Sequence, residues 1–174
     1  MKRVSALTLV RLVAFPILLL FFASCGSDDP EIIAKNDDKK IREWLKKNNY
    51  VENIDYVQVT RLNPDTNKIE DTGVYFVEKV AGEGPFPTEQ ARVNINYKGT
   101  LLNGKEFDNR IGADLNLSQT ILGFRYGLTR FNVGCEGLLL IPSGLGYGPM
   151  GSGTVPRNAV LIFDLKMNVF SNGK

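Results

Sequence analysis

Histidine is absent from all 174 residues. That absence excludes Ser-His-Asp and Cys-His nucleophilic arrangements, and with them zinc sites built on imidazole. No metal and no cofactor is expected. Cysteine is nearly absent too, with only Cys25 and Cys135. If Cys25 is consumed by lipid, Cys135 has no partner within the chain. It reads as a small buried core residue, or else as a reactive thiol. There is no excess of either charge. Lys and Arg total 21 against 19 acids, and without Lys2, Arg3 and Arg11 of the leader the basic count is 18, a balance of −1. No basic stripe follows a phosphate backbone, so nucleic acid is not an expected partner. Internal repeats are lacking, and the apolar and charged shares are those of a globular chain.

What is present begins with an address. Residues 1–24 have a basic start, an apolar stretch over 12–22 and then small residues, the pattern of a secretory signal. Arg11 interrupts the apolar run and keeps it short of the roughly 20 residues that span a bilayer. Phe22-Ala23-Ser24-Cys25 resembles a bacterial lipobox, with Phe22 in place of the more usual Leu. The resemblance implies cleavage before Cys25, lipidation of its thiol and membrane attachment through it. Gly26-Ser27-Asp28-Asp29 is similar to the acidic tether of Bacteroidetes-type surface lipoproteins. The implied location is the cell envelope, anchored to the outer membrane on its periplasmic face or at the cell surface. An ordinary signal peptide with an accidental cysteine is the alternative.

Residues 25–36 are read as the lipidated cysteine and its tether, and 37–71 as an extension with a short helix and a strand. Asp37 or Asp38 can cap a helix that places Ile41, Trp44 and Leu45 on one face and ends at Asn48-Asn49. Asp38–Arg42 and Glu43–Lys47 are spaced for ion pairs along it. It docks on the domain through Trp44, or it serves dimerisation. Residues 56–62 and 73–80 read as strands, with Asn63-Pro64-Asp65 as a turn between them.

The most informative run is 93–108. Val93, Ile95 and Tyr97 alternate with Asn94, Asn96 and Lys98, the period of a strand with one buried face. Asn103-Gly104 is spaced to supply the two positive φ values of a tight hairpin, returning Phe107 and Asp108 beside Tyr97. Leu115 and Leu117 alternate as a short strand. Residues 120–128 read as a short helix with Ile121, Phe124 and Leu128 on one face, and 133–141 as a strand. A loop over 142–158, dense in Gly and Pro, precedes a last strand over 159–170 that points Leu161, Phe163, Leu165, Met167 and Val169 inward. Mostly strands with one short helix suggests an α+β domain, an antiparallel sheet folded over that helix.

Residues 93–108 resemble the first hairpin of the FKBP-type peptidyl-prolyl isomerases, V-x-V-x-Y-x-G-x-L-x-x-G-x-x-F-D, with Ile95 the one conservative exchange. The likeness continues through Gly123-Phe124, Val133-Gly134, Ile141-Pro142, Leu145-Gly146-Tyr147-Gly148, Val155-Pro156 and Ala159 to Asp164. It implies an isomerase domain over about 72–172 whose curved antiparallel sheet wraps a short helix, with a pocket between them. By resemblance the catalytic group would be Tyr97, Phe107, Asp108, Tyr147 and Phe163. Ile121, Phe124, Val155 and Leu115 would bind substrate. Tyr97, Phe107 and Phe163 would be walls and Phe124 the floor. The N–H of Ile121 would hold a substrate carbonyl, and Tyr147 would donate to the substrate backbone. Read without the family, Ile121, Phe124 and Phe163 are equally core residues, and Asp108 a turn residue.

Several positions depart from the family. Phe124 stands where most members have Trp, which implies weaker binding of rapamycin-type macrolides. Leu115 replaces an aromatic, 109–114 is short, Ser152 lies where some relatives carry His, and Thr154 replaces an apolar residue. The implied activity is rotation of X–Pro bonds in exported, proline-containing polypeptides. A proline-binding chaperone or binding module with the same pocket but little turnover is the alternative, and a structural surface lipoprotein is a second.

Overall fold

In the computed structural model, residues 29–172 are described. The leader, Cys25 and the acidic tether up to Asp28 lie outside the described residues.

A helix, α1 (Pro30–Lys47), comes first. The Asp29 carboxylate accepts the Glu31 N–H at 2.8 Å, and Pro30 takes a first-turn position where its missing N–H costs nothing. Glu31 in the first turn and Lys46 and Lys47 in the last complement the helix dipole. The helix therefore starts earlier than an Asp37 or Asp38 cap would allow, and residues 30–36 of the supposed tether are helical. Asp37 is instead fully buried in mid-helix. At the far end Asn48 caps, and Asn49 takes φ 65°.

Six strands follow: β1 (Tyr56–Asn63), β2 (Lys68–Val80), β3 (Arg92–Leu101), β4 (Glu106–Asn116), β5 (Glu136–Ile141) and β6 (Leu161–Ser171). They form one sheet in the order β1-β2-β5-β6-β3-β4, with every pair antiparallel. A two-turn helix, α2 (Leu122–Leu128), lies on one face, and α1 on the other. The α+β expectation holds.

Each face has its own core. Val74, Phe76, Val93, Ile95, Leu139, Ile141, Leu161, Phe163, Leu165 and Met167 pack with Phe124 and Leu128 of α2. Tyr75, Val77, Leu138, Leu140 and Ile162 pack beneath Ile41 and Leu45 of α1. Burial on both faces explains the unbroken apolar run of β5, which alternation rules cannot place. Ile41 and Leu45 anchor α1, whereas Trp44 is half-buried and stacks on Tyr50 at 6.3 Å. Asp38 also accepts a hydrogen bond from the Tyr75 hydroxyl and one from Arg42 Nε at 3.1 Å.

Two glycines let α2 lie close on β5. A Cβ at Gly123 would stand 2.2 Å from Ile141 Cγ2, and one at Gly127 would stand 2.5 Å from Leu139 Cδ1. The β3–β4 hairpin differs from the expected two-residue turn. Only Gly104 has positive φ, 83°, and its N–H donates to the Leu101 carbonyl at 2.8 Å. The loop therefore holds three residues, 102–104, a common form with glycine at the left-handed position. β4 runs unbroken through 109–114, so the shortened segment is strand, with register shifts between Ile95 and Tyr97 and between Gly99 and Thr100. β5 begins at Glu136, later than expected. Val169 of β6 faces outward at 56% exposure, against expectation.

Cys135 is completely buried, and burial, followed by the charge of Glu78, pushes its thiol up to about 11. Of its two readings, the buried core residue is the one the fold supports.

Candidate active site

The site sits between the end of β3, the start of β4, α2 and the 142–158 segment. On β3, the Tyr97 hydroxyl donates to Asp108 Oδ2 at 2.6 Å. Asp108 opposes Gly99 in the hairpin, so this is a diagonal cross-strand pair, within reach of a long aromatic side chain. Asp108 Oδ1 accepts the Asn109 N–H at 2.9 Å and Arg110 Nε at 3.3 Å. Arg110 thus pairs with Asp108 despite the short segment. Burial, and next the hydrogen bond to Asp108, hold the Tyr97 phenol well above the ordinary tyrosine range. Tyr147 is pushed up as well, by burial first and then by the charge of Asp108.

Phe163 of β6 is the hub of the aromatic group. Its ring centroid lies 4.8 Å from Phe124, 5.5 Å from Phe107 and 5.9 Å from Tyr97, each pair meeting edge to face. Tyr97 also meets Phe124 at 5.9 Å. Edge-to-face meetings of this kind are a favoured arrangement of aromatic rings.

The cavity has a volume of ~290 Å³ and is lined by Tyr97, Asp108, Leu115, Gln119, Thr120, Ile121, Phe124, Tyr147 and Phe163. Seven of the nine residues read from the sequence line it. Two do not. The Phe107 ring instead lies over Gly99, where a Cβ would stand 2.6 Å from its Cζ, and packs on Phe163. Val155 is buried in the core. Its backbone exchanges two hydrogen bonds with Ser152, at 2.8 and 3.0 Å, which close a tight turn.

Gln119 and Thr120 were missed. They sit in the segment entering α2, and the polar triplet Ser118-Gln119-Thr120 just before an apolar helix was their one signal. Arg125 braces that segment by donating from Nε to the Leu117 carbonyl at 3.2 Å and from Nη2 to that of Ser118 at 2.8 Å. Ile121 caps α2 with extended backbone, φ −57° and ψ 148°. Such a position leaves its N–H outside the helical ladder, where it can meet an acceptor in the cavity.

A larger apolar cavity, ~390 Å³, lies between α1 and residues 142–149 and is lined by Ile33, Ala34, Pro142, Leu145 and Pro149 among others. It lacks the ring cluster, so the smaller cavity is the better candidate. Among the described residues no group of three or more His, Cys, Asp or Glu side chains is placed to hold a metal ion.

The cavity has no nucleophile poised beside a base. It offers aromatic walls, a fixed phenol–carboxylate pair and a second phenol, which suits binding and distortion of an apolar, amide-bearing group.

Comparison with known proteins agrees. Residues 84–168 match the family model for FKBP-type peptidyl-prolyl cis-trans isomerase. The FKBP-type peptidyl-prolyl cis-trans isomerase FkpA of Buchnera aphidicola (subsp. Acyrthosiphon pisum) is 34% identical over 150 residues, which cover 80% of this chain. The chain spans 62% of that relative's length. FK506-binding protein 1 of Candida glabrata is 37% identical over 94 residues, covering 49% of this chain and 82% of that protein. The crystal structure of a peptidyl-prolyl cis-trans isomerase from Pseudomonas syringae pv. tomato is similar with a TM-score of 0.61 at 25% identity, covering 84% of this chain and all of that one. The shared fold, the ring-lined cavity and the matched sequence together place this chain in the FKBP-type peptidyl-prolyl cis-trans isomerase family.

Proposed function

We propose that this chain accelerates cis–trans rotation of X–Pro bonds in exported polypeptides. The observation that carries the reading is the cluster of Tyr97, Phe124 and Phe163 around a cavity that also holds the Tyr97–Asp108 pair. Rotation of a peptide bond is opposed by roughly 18–20 kcal/mol of amide resonance. Twisting removes double-bond character and makes the carbonyl less polar. An aromatic-walled cavity therefore holds the twisted amide better than the planar one, and that difference in binding is catalysis. Each ~1.4 kcal/mol of preference speeds exchange tenfold. The N–H of Ile121 takes the substrate carbonyl, and Tyr147 at the rim orients the substrate backbone.

No proton moves in this mechanism. The chain has no imidazole, and the Tyr97 and Tyr147 phenols are held above their usual range. Activity per folded molecule is expected to change less than about twofold between pH 6 and 8. A bell-shaped profile of kcat/KM in a Phe-Pro peptide assay would contradict it. At alkaline pH the raised phenols act on stability instead. Their contribution is full below the unfolded tyrosine value of about 10 and declines as the pH rises through the folded values.

Phe124 fills the floor less than an indole and has no N–H. Rapamycin-type macrolides should accordingly bind weakly, read as poor competition in the same peptide assay. The lipobox-like Phe22-Ala23-Ser24-Cys25 supports an envelope location with a lipid anchor on Cys25. Incorporation of labelled palmitate, lost in Cys25→Ala, is the expected outcome, and equal labelling of that variant would remove the anchor from this reading.

A further inference from the structure

One buried charge has no part in the cavity. Asp37, in the middle of α1, is 0% exposed. Its Oδ2 accepts two hydrogen bonds from Ser143, from the N–H at 2.9 Å and from Oγ at 2.5 Å. Its Oδ1 accepts Lys40 Nζ at 3.0 Å. Ser143 is itself fully buried and opens the 3-10 turn Ser143–Leu145 directly after β5 and Pro142. A carboxylate buried this deeply is costly unless partnered, and here both oxygens are satisfied.

The turn that Asp37 holds leads straight to the site. Leu145 N–H donates to the Pro142 carbonyl and Gly146 N–H to that of Ser143, both at 3.0 Å. The next residue is Tyr147, at the rim of the cavity. Beyond it Gly151 N–H donates to the Tyr147 carbonyl at 3.1 Å, and Asn158 N–H to that of Gly148 at 2.9 Å. The bonds on either side of Tyr147 span three or four residues, and the one to Gly148 ties the far end of the loop, so the register of Tyr147 against the cavity is set from where Ser143 is pinned. Asp37 is outside the 84–168 segment matched to the family.

We infer that Asp37 is a positioning residue for the isomerase site: through Ser143 it fixes the loop that presents Tyr147, so that the N-terminal helix is a working part of the site. This inference rests on the proposed isomerase reading. Loss of a hydrogen-bonded anchor lets the loop shift by fractions of an ångström, and such shifts weaken the substrate contact more than the aromatic box.

The test uses the full chain in detergent, with exchange NMR on a Leu-Pro peptide and amide hydrogen exchange on the same samples. Asp37→Ala is expected to raise KM on the order of tenfold with a smaller change in kcat. The Leu145 and Gly146 amides should exchange faster while those of β3 and β6 do not. Asp37→Asn keeps an acceptor for the Ser143 N–H and should restore most of the binding. Lys35→Ala, on the exposed side of the same helix, should change neither reading. A folded Asp37→Ala protein with unchanged KM and unchanged loop exchange would overturn the inference. If Asp37→Ala does not fold, Ser143→Ala decides: it removes one of the two bonds, and unchanged loop exchange there overturns it equally. A parent protein that does not accelerate exchange at all would fell the isomerase reading, while the hydrogen-exchange arm would still decide the role of Asp37.

Discussion

Phe163→Ala is expected to cost about 3–5 kcal/mol of stability and to remove isomerase activity. Phe163 is 4% exposed on β6, with β5 on one side and β3 on the other. Its ring contacts three others, at 4.8, 5.5 and 5.9 Å. Truncation leaves a void where those rings meet, and each lost edge-to-face pair forfeits ~0.5–1.5 kcal/mol beyond the lost area. Urea unfolding should show a lower midpoint at unchanged slope. Phe163→Leu separates fold from site. It keeps most of the volume and should cost less than the alanine variant, chiefly the lost ring pairs, yet it loses the aromatic face and should still lose most of the activity. Full activity in folded Phe163→Leu would contradict the role given to the rings.

The second large effect is that of the double variant Tyr97→Ala, Phe107→Ala. Tyr97 supplies one wall and the hydroxyl that faces Asp108, while Phe107 packs edge to face with Phe163. Both are half-buried at one end of the sheet, so less of the core depends on them than on Phe163. Removing them admits water to the cavity and leaves the Asp108 carboxylate with Arg110 and a backbone N–H alone. A fall in kcat/KM on the order of a hundredfold is expected, with the circular dichroism and the cooperative unfolding transition retained. The single variants should not be additive, because both rings act through Phe163.

Much of this site was legible in the sequence because it lies on strands with strict alternation. Val93, Ile95 and Tyr97 announce one buried face, and a hairpin of either two or three residues returns Asp108 to the same end. The residues misplaced from sequence are those whose neighbours come from elsewhere. Phe107 follows the rule for its strand, but its ring lies over the bare backbone of Gly99 on the neighbouring strand, a placement that local periodicity does not reveal. Val155 sits in a loop without periodicity, and whether such a residue meets substrate or core depends on how the chain closes on itself. Alternation also fails across β5, because α1 and α2 cover opposite faces of the sheet. The start of α1 was lost for a local reason. Asp29-Pro30 is a good helix start, but it stands in a stretch whose composition reads as a tether. With the helix begun there, Asp37 passes from a cap to a buried anchor, a role that only the partner at Ser143 reveals.

The ring-lined cavity is proposed to favour a prolyl amide in mid-rotation. Exchange NMR of a Leu-Pro peptide with purified protein measures that directly. The expected result is acceleration of cis–trans exchange that scales with protein concentration, persists at neutral pH and is lost in the Tyr97→Ala, Phe107→Ala variant. No acceleration by the parent, or equal acceleration by the folded double variant, would contradict it.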